Sequence, residues 1–341
     1  MLIFGYFLLA GIITALVTPL IIRLYKKMHW DKAHANKIQT FKDTHQKNVP
    51  RGGGLAIFIG LLCTLSFLWP WNFTLQMILL GAFLLTAIGV LDDIFDLNPF
   101  LRLLVNLAAA ACVIYAGITI DFVTNPFASG VLHLDYWWWL PSLITLVYLT
   151  FLINITNWAK GVDGQMPGTV AIAAIFIGFL SFRLTSHQVE MTSILSFITA
   201  GAFTGFLFWN FYPQRIMPGY GGGALGGFLL GVLSILSGAK LATLFMVMAL
   251  PIADAIFTIM RRILAGKSPF WGDRGHLHHK LLDQFGWGRR RIAIFYWLVT
   301  LVMGILALIL PTWGKIVAFI AVLILTFVFL IRAKILSLRK N

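Results

Sequence analysis

The sequence predicts an all-α integral membrane protein, a polytopic bundle of about eleven (ten or eleven) transmembrane helices with a cytoplasmic cleft. Three observations predict it. Of 341 residues 59% are hydrophobic and only 11% charged, with a mean hydropathy of +0.88. Apolar runs recur at about the 20 residues a helix needs to cross a hydrocarbon core roughly 30 Å thick. Lysine and arginine gather in every second connection. Lipid offers backbone groups no water, so each run must satisfy its own hydrogen bonds as a helix.

The runs follow in order. Residues 2–22 have no basic residue before them and are long enough to remain a span, so no cleaved leader is expected. Runs 53–71 and 75–91 come next, and "LDDIFDLNPFLR" (91–102) leads into 101–120. Run 137–153 opens on Trp137, Trp138 and Trp139, an aromatic belt at the outer interface. "NITNWAKGVDGQMPG" (154–168) precedes run 168–183. Run 192–211 is joined by "NFYPQRIMPGYGGGALGG" (210–227) to run 224–237, which is short and glycine-rich and leaves the total at ten or eleven. Run 240–260 precedes the longest inner loop, with "GDRGHLHHK" (272–280). Arg289, Arg290 and Arg291 anchor run 293–311, and 314–331 ends the series. No loop could fold as a soluble domain, so 1–341 reads as a single transmembrane domain. Cys63 and Cys112 lie inside spans, which argues against a disulfide framework.

Charge sets the topology. With the N-terminus outside and the C-terminus inside, all of the 26 Lys and Arg except Arg183, Lys240 and Lys315 fall on the inner side. The net charge of +14 then reflects topology and attraction to anionic lipid, not nucleic acid. The location expected is the inner (plasma) membrane, with the active face toward the cytoplasm.

Four polar segments from distant parts of the chain share that face: 91–102, 154–168, 210–227 and the histidine loop. Five of the 12 acids, Asp92, Asp93, Asp96, Asp163 and Asp273, lie in them, and Asp254 sits inside the ninth run after Pro251. Adjacent carboxylates can hold a hard cation such as Mg²⁺, or one of them can act as a base. Arg274, Lys280, His276, His278 and His279 can bind phosphate oxygens. The combination reads as a diphosphate site beside lipid. The glycine stretch 219–227 carries no GK[ST] and serves equally well as close helix packing. The histidine spacing does not match a zinc site. A transporter would place its ionisable groups near the bilayer midplane, where this sequence is almost bare of charge.

Taken together these segments resemble the polyprenyl-phosphate N-acetylhexosamine-1-phosphate transferases, a glycosyltransferase family 4 type, in the form of a divergent member. The resemblance rests on His45 with "PRGGG" (50–54, including Arg51), "DDIFDLNPFLR" (92–102), "NITNWAKGVDG" (154–164), "NFYP" (210–213) and "DRGHLHHKL" (273–281), in the family's order. "HLHHKL" is closer to the branch that uses UDP-N-acetylglucosamine or related sugars. The resemblance implies attack of a polyprenyl phosphate on the β-phosphate of a UDP-sugar, with Mg²⁺ as cofactor, giving polyprenyl-diphosphate-sugar and UMP and initiating a cell-envelope glycan. It implies Asp92, Asp93 and Asp163 as catalytic or metal residues. Asn154, Asn157 and Asp163 would shape the nucleotide side of the cleft, and Arg274, His276, His278 and His279 would grip the diphosphate. His45, Arg51, Lys160, Asn210 and Tyr220 complete the candidate substrate-binding residues, with Asp254, whose place inside a span marks it as functional. The partners implied are a polyprenyl phosphate lipid, a UDP-sugar and the membrane, with a homodimer left open and no nucleic acid.

The sequence departs from the family pattern at four places. Lys160 stands where an aspartate is expected, and Tyr220 where the family has a metal-binding aspartate. Arg102 and Asn106 replace an expected lysine and glutamine. The first two changes make the site less negative by about three charges at ordinary pKa values, which weakens a metal site. An alternative therefore stays open: a catalytically altered or inactive relative that binds a lipid phosphate or nucleotide-sugar as scaffold or regulator.

Overall fold

A computed structural model of the chain describes residues 2–30, 49–68, 71–125, 130–182, 187–238, 241–268 and 275–338. The described chain is nearly all helix: α1 (Leu2–Lys27), α2 (Gly53–Leu68), α3 (Phe73–Phe95), α4 (Pro99–Tyr115), α5 (Leu140–Trp158), α6 (Gln165–Ser181), α7 (His187–Asn210), α8 (Gly219–Leu236), α9 (Leu241–Val247), α10 (Ala249–Leu264), α11 (Leu277–Asp283), α12 (Arg289–Ile309) and α13 (Thr312–Leu338). A small antiparallel hairpin, β1 (Phe122–Thr124) and β2 (Val131–His133), departs from the all-helical expectation between α4 and α5.

Each of the eleven apolar runs contains a helix, yet eleven full spans are not confirmed. Among the described residues seven helices are long and apolar enough to cross a membrane, or eight if α9 and α10 form one broken span. Helices α2, α4 and α6 have 16, 17 and 17 residues, short of the roughly 20 needed. The protein is a multi-pass membrane protein.

The ninth run does not form the single helix expected. It breaks by 83° between α9 and α10. Pro251 explains the position of the break, because a proline ring collides with the carbonyl four residues earlier, and that residue is Val247, the last of α9. Pro251 then falls in the first turn of α10, where its missing N–H is harmless. Asp254 comes one residue short of a full turn later, in α10.

Among the seven candidate spans the most deeply buried is α8. Nearly all of it is buried, against α3, α5 and α2. It begins at Gly219, so 219–227 is helix and not the connecting loop that the sequence suggests. Glycine is a poor helix former in water. In a membrane it lets backbones approach, and a methyl at Gly89 of α3 would overlap the Gly221 backbone of α8. Part of the glycine stretch thus serves as a close-packing surface between helices. Helices α1 and α13 lie at the periphery. Phe4, Leu8, Ile12, Leu16 and Leu20 repeat every four residues down the exposed face of α1, a stripe suited to lipid.

Candidate active site

Helix α3 delivers the acidic pair. It stops at Asp96, whose left-handed φ of 54° ends the helix while its N–H caps the Asp92 carbonyl. The Asp92 carboxylate is held from two sides. Leu97 N donates to Oδ1 at 3.1 Å. Arg102 Nη1 donates to both oxygens at 3.2 Å, tying the start of α4 to the end of α3. Asp93 is buried and accepts from Tyr220 N at 3.4 Å.

The segment 50–54 reaches the same place by hydrogen bonds to the residues that lead into α8. Met217 N donates to Pro50 O at 2.7 Å, Gly53 N to Met217 O at 3.0 Å and Gly54 N to Pro218 O at 3.0 Å. Gly219 then turns with φ of 68°, and any Cβ there would collide with the Arg51 carbonyl and the Asp93 carboxylate. Only glycine suits that backbone and that contact.

Trp158 at the end of α5 and residues 159–164, which connect it to α6, form the hub. Lys160 Nζ donates to Gly219 O at 2.8 Å. The Lys160 nitrogen lies 5.8 Å from the centre of the Tyr220 ring, and Arg102 Cζ lies 5.0 Å from it. The Tyr220 hydroxyl donates to Asn106 Oδ1 at 2.8 Å. Burial lowers the Lys160 pKa to about 8; Asp93 and Asp92 oppose that drop, while Arg51 and Arg102 add to it.

One residue further on, Gly161 lies against the His278 ring, where a Cβ would overlap it. The histidine segment forms the short helix α11 where the sequence suggests only loop, with His276 as its N-cap. Asp254 secures it. Leu277 N donates to Asp254 Oδ1 at 2.8 Å, and His276 Nδ1 lies 3.1 Å from Oδ2. A carboxylate accepts, so His276 carries a proton on Nδ1. Thr258 Oγ1 is 3.3 Å from the same nitrogen. The His276 and His278 rings stack at 5.6 Å, His279 lies 4.3 Å from His278, and Trp158 lies 6.2 Å from His276. All three histidines are buried.

A third group closes the loop. Arg289 pairs with Asp163 Oδ1 at 3.6 Å, and Gln214 N donates to Oδ2 at 3.3 Å. Asn210 Oδ1 accepts from Gly164 N at 3.0 Å, while its amide donates to Ile216 O at 2.8 Å and to Gln214 Oε1 at 3.1 Å. Trp297 Nε1 donates to Gly164 O at 3.1 Å.

The structure therefore brings together Arg51, Asp92, Asp93, Lys160 and Tyr220; Asp254, His276, His278 and His279; and Asp163 with Asn210, all around residues 158–164. Asn157 packs against Gly223 of α8. Asn154 turns its amide onto Thr150 O of its own helix at 2.7 Å. His45 and Arg274 lie outside the described residues. Arg289, which the sequence marks only as a topological anchor, belongs to this site. Gln214, Thr258, Trp158 and Trp297 carry no sequence signal apart from adjacency to the polar segments.

The cations suit anionic phosphate oxygens, because lysine and arginine supply fixed positive charge and hydrogen-bond donors. A divalent metal does not fit the same donors. Asp92 faces Arg102, Asp163 faces Arg289, and Lys160 stands beside Asp93. Among the described residues no group of three or more His, Cys, Asp or Glu could share an ion.

Residues 75–238 match the family model described as Glycosyl transferase family 4. The chain is 30% identical over 312 residues to a probable undecaprenyl-phosphate N-acetylglucosaminyl 1-phosphate transferase of Bacillus subtilis, covering 89% of this chain and 85% of that protein. It is 28% identical over 298 residues to the decaprenyl-phosphate N-acetylglucosaminephosphotransferase of Mycolicibacterium smegmatis, covering 77% and 72%. It is 30% identical over 254 residues to the undecaprenyl-phosphate alpha-N-acetylglucosaminyl 1-phosphate transferase of Haemophilus influenzae, covering 71% and 70%.

Proposed function

The chain belongs to glycosyl transferase family 4, and from that premise we propose that it transfers a sugar 1-phosphate from a UDP-N-acetylhexosamine, of UDP-N-acetylglucosamine type, to a polyprenyl phosphate in the membrane. An oxygen of the lipid phosphate attacks the β-phosphorus. The bond from that phosphorus to the bridging oxygen breaks, and the oxygen leaves with UMP. The product, polyprenyl-diphosphate-sugar, begins a cell-envelope glycan.

The observation that carries this reading is the convergence of three polar groups on residues 158–164. Phosphoryl transfer asks a protein mainly to position the reactants and neutralise charge. Lys160 and Arg51 supply charge at the acidic pair, and Arg289 supplies it beside Asp163. Asp92 and Asp93 keep Arg102 and Lys160 in place. The histidines of α11, fixed by Asp254, offer donors to the diphosphate. Asn210 holds Gly164 and so shapes the nucleotide side, with Asn157 nearby. The active face is cytoplasmic, with the N-terminus outside and the C-terminus inside, as the lysine and arginine distribution favours.

The test is UMP release by the purified full chain, reconstituted with undecaprenyl phosphate and offered a panel of UDP-sugars. Release with UDP-N-acetylglucosamine that depends on the lipid supports the proposal. Saturable UDP binding with no UMP from any sugar would replace it with the scaffold reading.

A further inference from the structure

The four positions at which the sequence departs from its resemblance are not scattered. Arg102, Asn106, Lys160 and Tyr220 come from three separate segments, and all meet at the Tyr220 side chain. Its hydroxyl bonds Asn106, which is fully buried. Its ring lies under the Arg102 guanidinium and near the Lys160 ammonium. The ammonium is fixed by Gly219 O at 2.8 Å and has Asp92 and Asp93 as its acidic neighbours.

The charges decide what such a cluster can hold. Asp92 and Asp93 face Arg51, Arg102 and Lys160, so with all five groups ionised cations exceed anions. Asp92 already carries a guanidinium on both oxygens. A divalent ion entering here would find its carboxylates engaged and a fixed ammonium repelling it. A phosphate group would find a net positive cradle.

We propose that the Lys160 ammonium is the built-in counter-ion of this site, filling with Arg51 and Arg102 the place a divalent metal ion would take against the reacting phosphates. The proposal rests on the transferase reading and deepens it: the reaction at this site needs no divalent cation. Tyr220 and Asn106 serve it as positioning residues, since their hydrogen bond holds the wall against which Lys160 and Arg102 lie.

The experiment has an arm that needs no turnover. Purified full-length protein in detergent is titrated with Mn²⁺, and free Mn²⁺ is read by its paramagnetic resonance signal. Wild type is expected to show no saturable site, and Lys160→Asp combined with Tyr220→Asp to gain one. A saturable wild-type site that Asp93→Asn abolishes overturns the proposal. In the second arm UMP release is expected to run at the same rate in EDTA and in Mg²⁺; release that stops in EDTA also overturns it. Should the double variant not fold, Lys160→Met takes its place. That change is expected to lower UMP release about 100-fold in EDTA, as loss of one charged contact to a transition state does, with Mg²⁺ restoring part of it. An unchanged rate for Lys160→Met in EDTA counts against the proposal. Absence of UMP in every buffer would instead defeat the transferase reading, and the Mn²⁺ titration alone would then decide whether a metal binds.

Discussion

Asp254→Ala should loosen the histidine helix without disturbing the rest of the bundle. Asp254 is buried, and its carboxylate holds two groups: Leu277 N at 2.8 Å and His276 Nδ1 at 3.1 Å. Hydrogen bonds to a charged group contribute about 1.5–3 kcal/mol each. Removing one partner of a buried pair costs about 3–5 kcal/mol, because the other is left behind. Helix α11 has seven residues and cannot persist on its own hydrogen bonds. A loss of about 3 kcal/mol corresponds to a roughly 150-fold rise in local opening, at about 1.36 kcal/mol per tenfold. Asp254→Asn keeps an acceptor for Leu277 N and should lose about half as much in free energy. The assay is amide hydrogen exchange on peptides covering 275–283, compared with peptides from α8. Exchange in 275–283 should rise steeply for Ala, less for Asn, and stay constant in α8. Wild-type exchange of 275–283 in Asp254→Ala would refute the claim that this carboxylate builds the helix.

Other outcomes follow from single contacts. Burial lowers the Lys160 pKa, so UMP release should fall with rising pH earlier than an ordinary lysine would dictate, and Lys160→Arg should abolish that alkaline limb; a limb unchanged in the variant would assign it elsewhere. Stability linked to the same group moves in the opposite direction. The unfolded chain keeps this proton up to the ordinary lysine value, so stability rises with pH between the lowered folded pKa and that value. Tyr220→Phe strips the buried Asn106 of its donor and should cost about 1–3 kcal/mol, read as a lower unfolding temperature in detergent; an unchanged temperature would mean that water or another donor replaces the hydroxyl. Gly219→Ala places a methyl against the Arg51 carbonyl and the Asp93 carboxylate in a left-handed turn, so the turn must rebuild at a cost above about 1–2 kcal/mol, and UMP release should fall with it.

The positions of helices were legible in the sequence because lipid demands long apolar runs, and every run holds a helix. Their ability to span was less legible. Hydropathy continues past the end of α4, so it overstates the 17 residues that are helical there. The break at Val247 could have been read from Pro251, four residues on, by the clash rule alone. The start of α8 could not, since glycines that signal a turn in water serve as packing surface in a membrane. Within the site, the polar segments singled out in the sequence include Asp93, Lys160, Asp163 and His278, which the structure gathers around residues 158–164. What a side chain would face was hidden. Nothing local says that Asp92 is held by Arg102, that Asn154 turns onto its own helix, or that Arg289 leaves the anchor to meet Asp163. Those outcomes depend on contacts between residues far apart in the chain.

The central claim is that the acidic pair, the 158–164 loop and the histidine helix act on one bound molecule. Its most direct measurement is UMP release by folded wild type beside Lys160→Met, Asp163→Asn and His278→Ala, one variant from each cluster. The expected result, measured in EDTA, is a fall of about 100-fold or more in all three, the usual effect of removing one preorganised contact. Wild-type rates in any two of them would show that the clusters serve separate purposes.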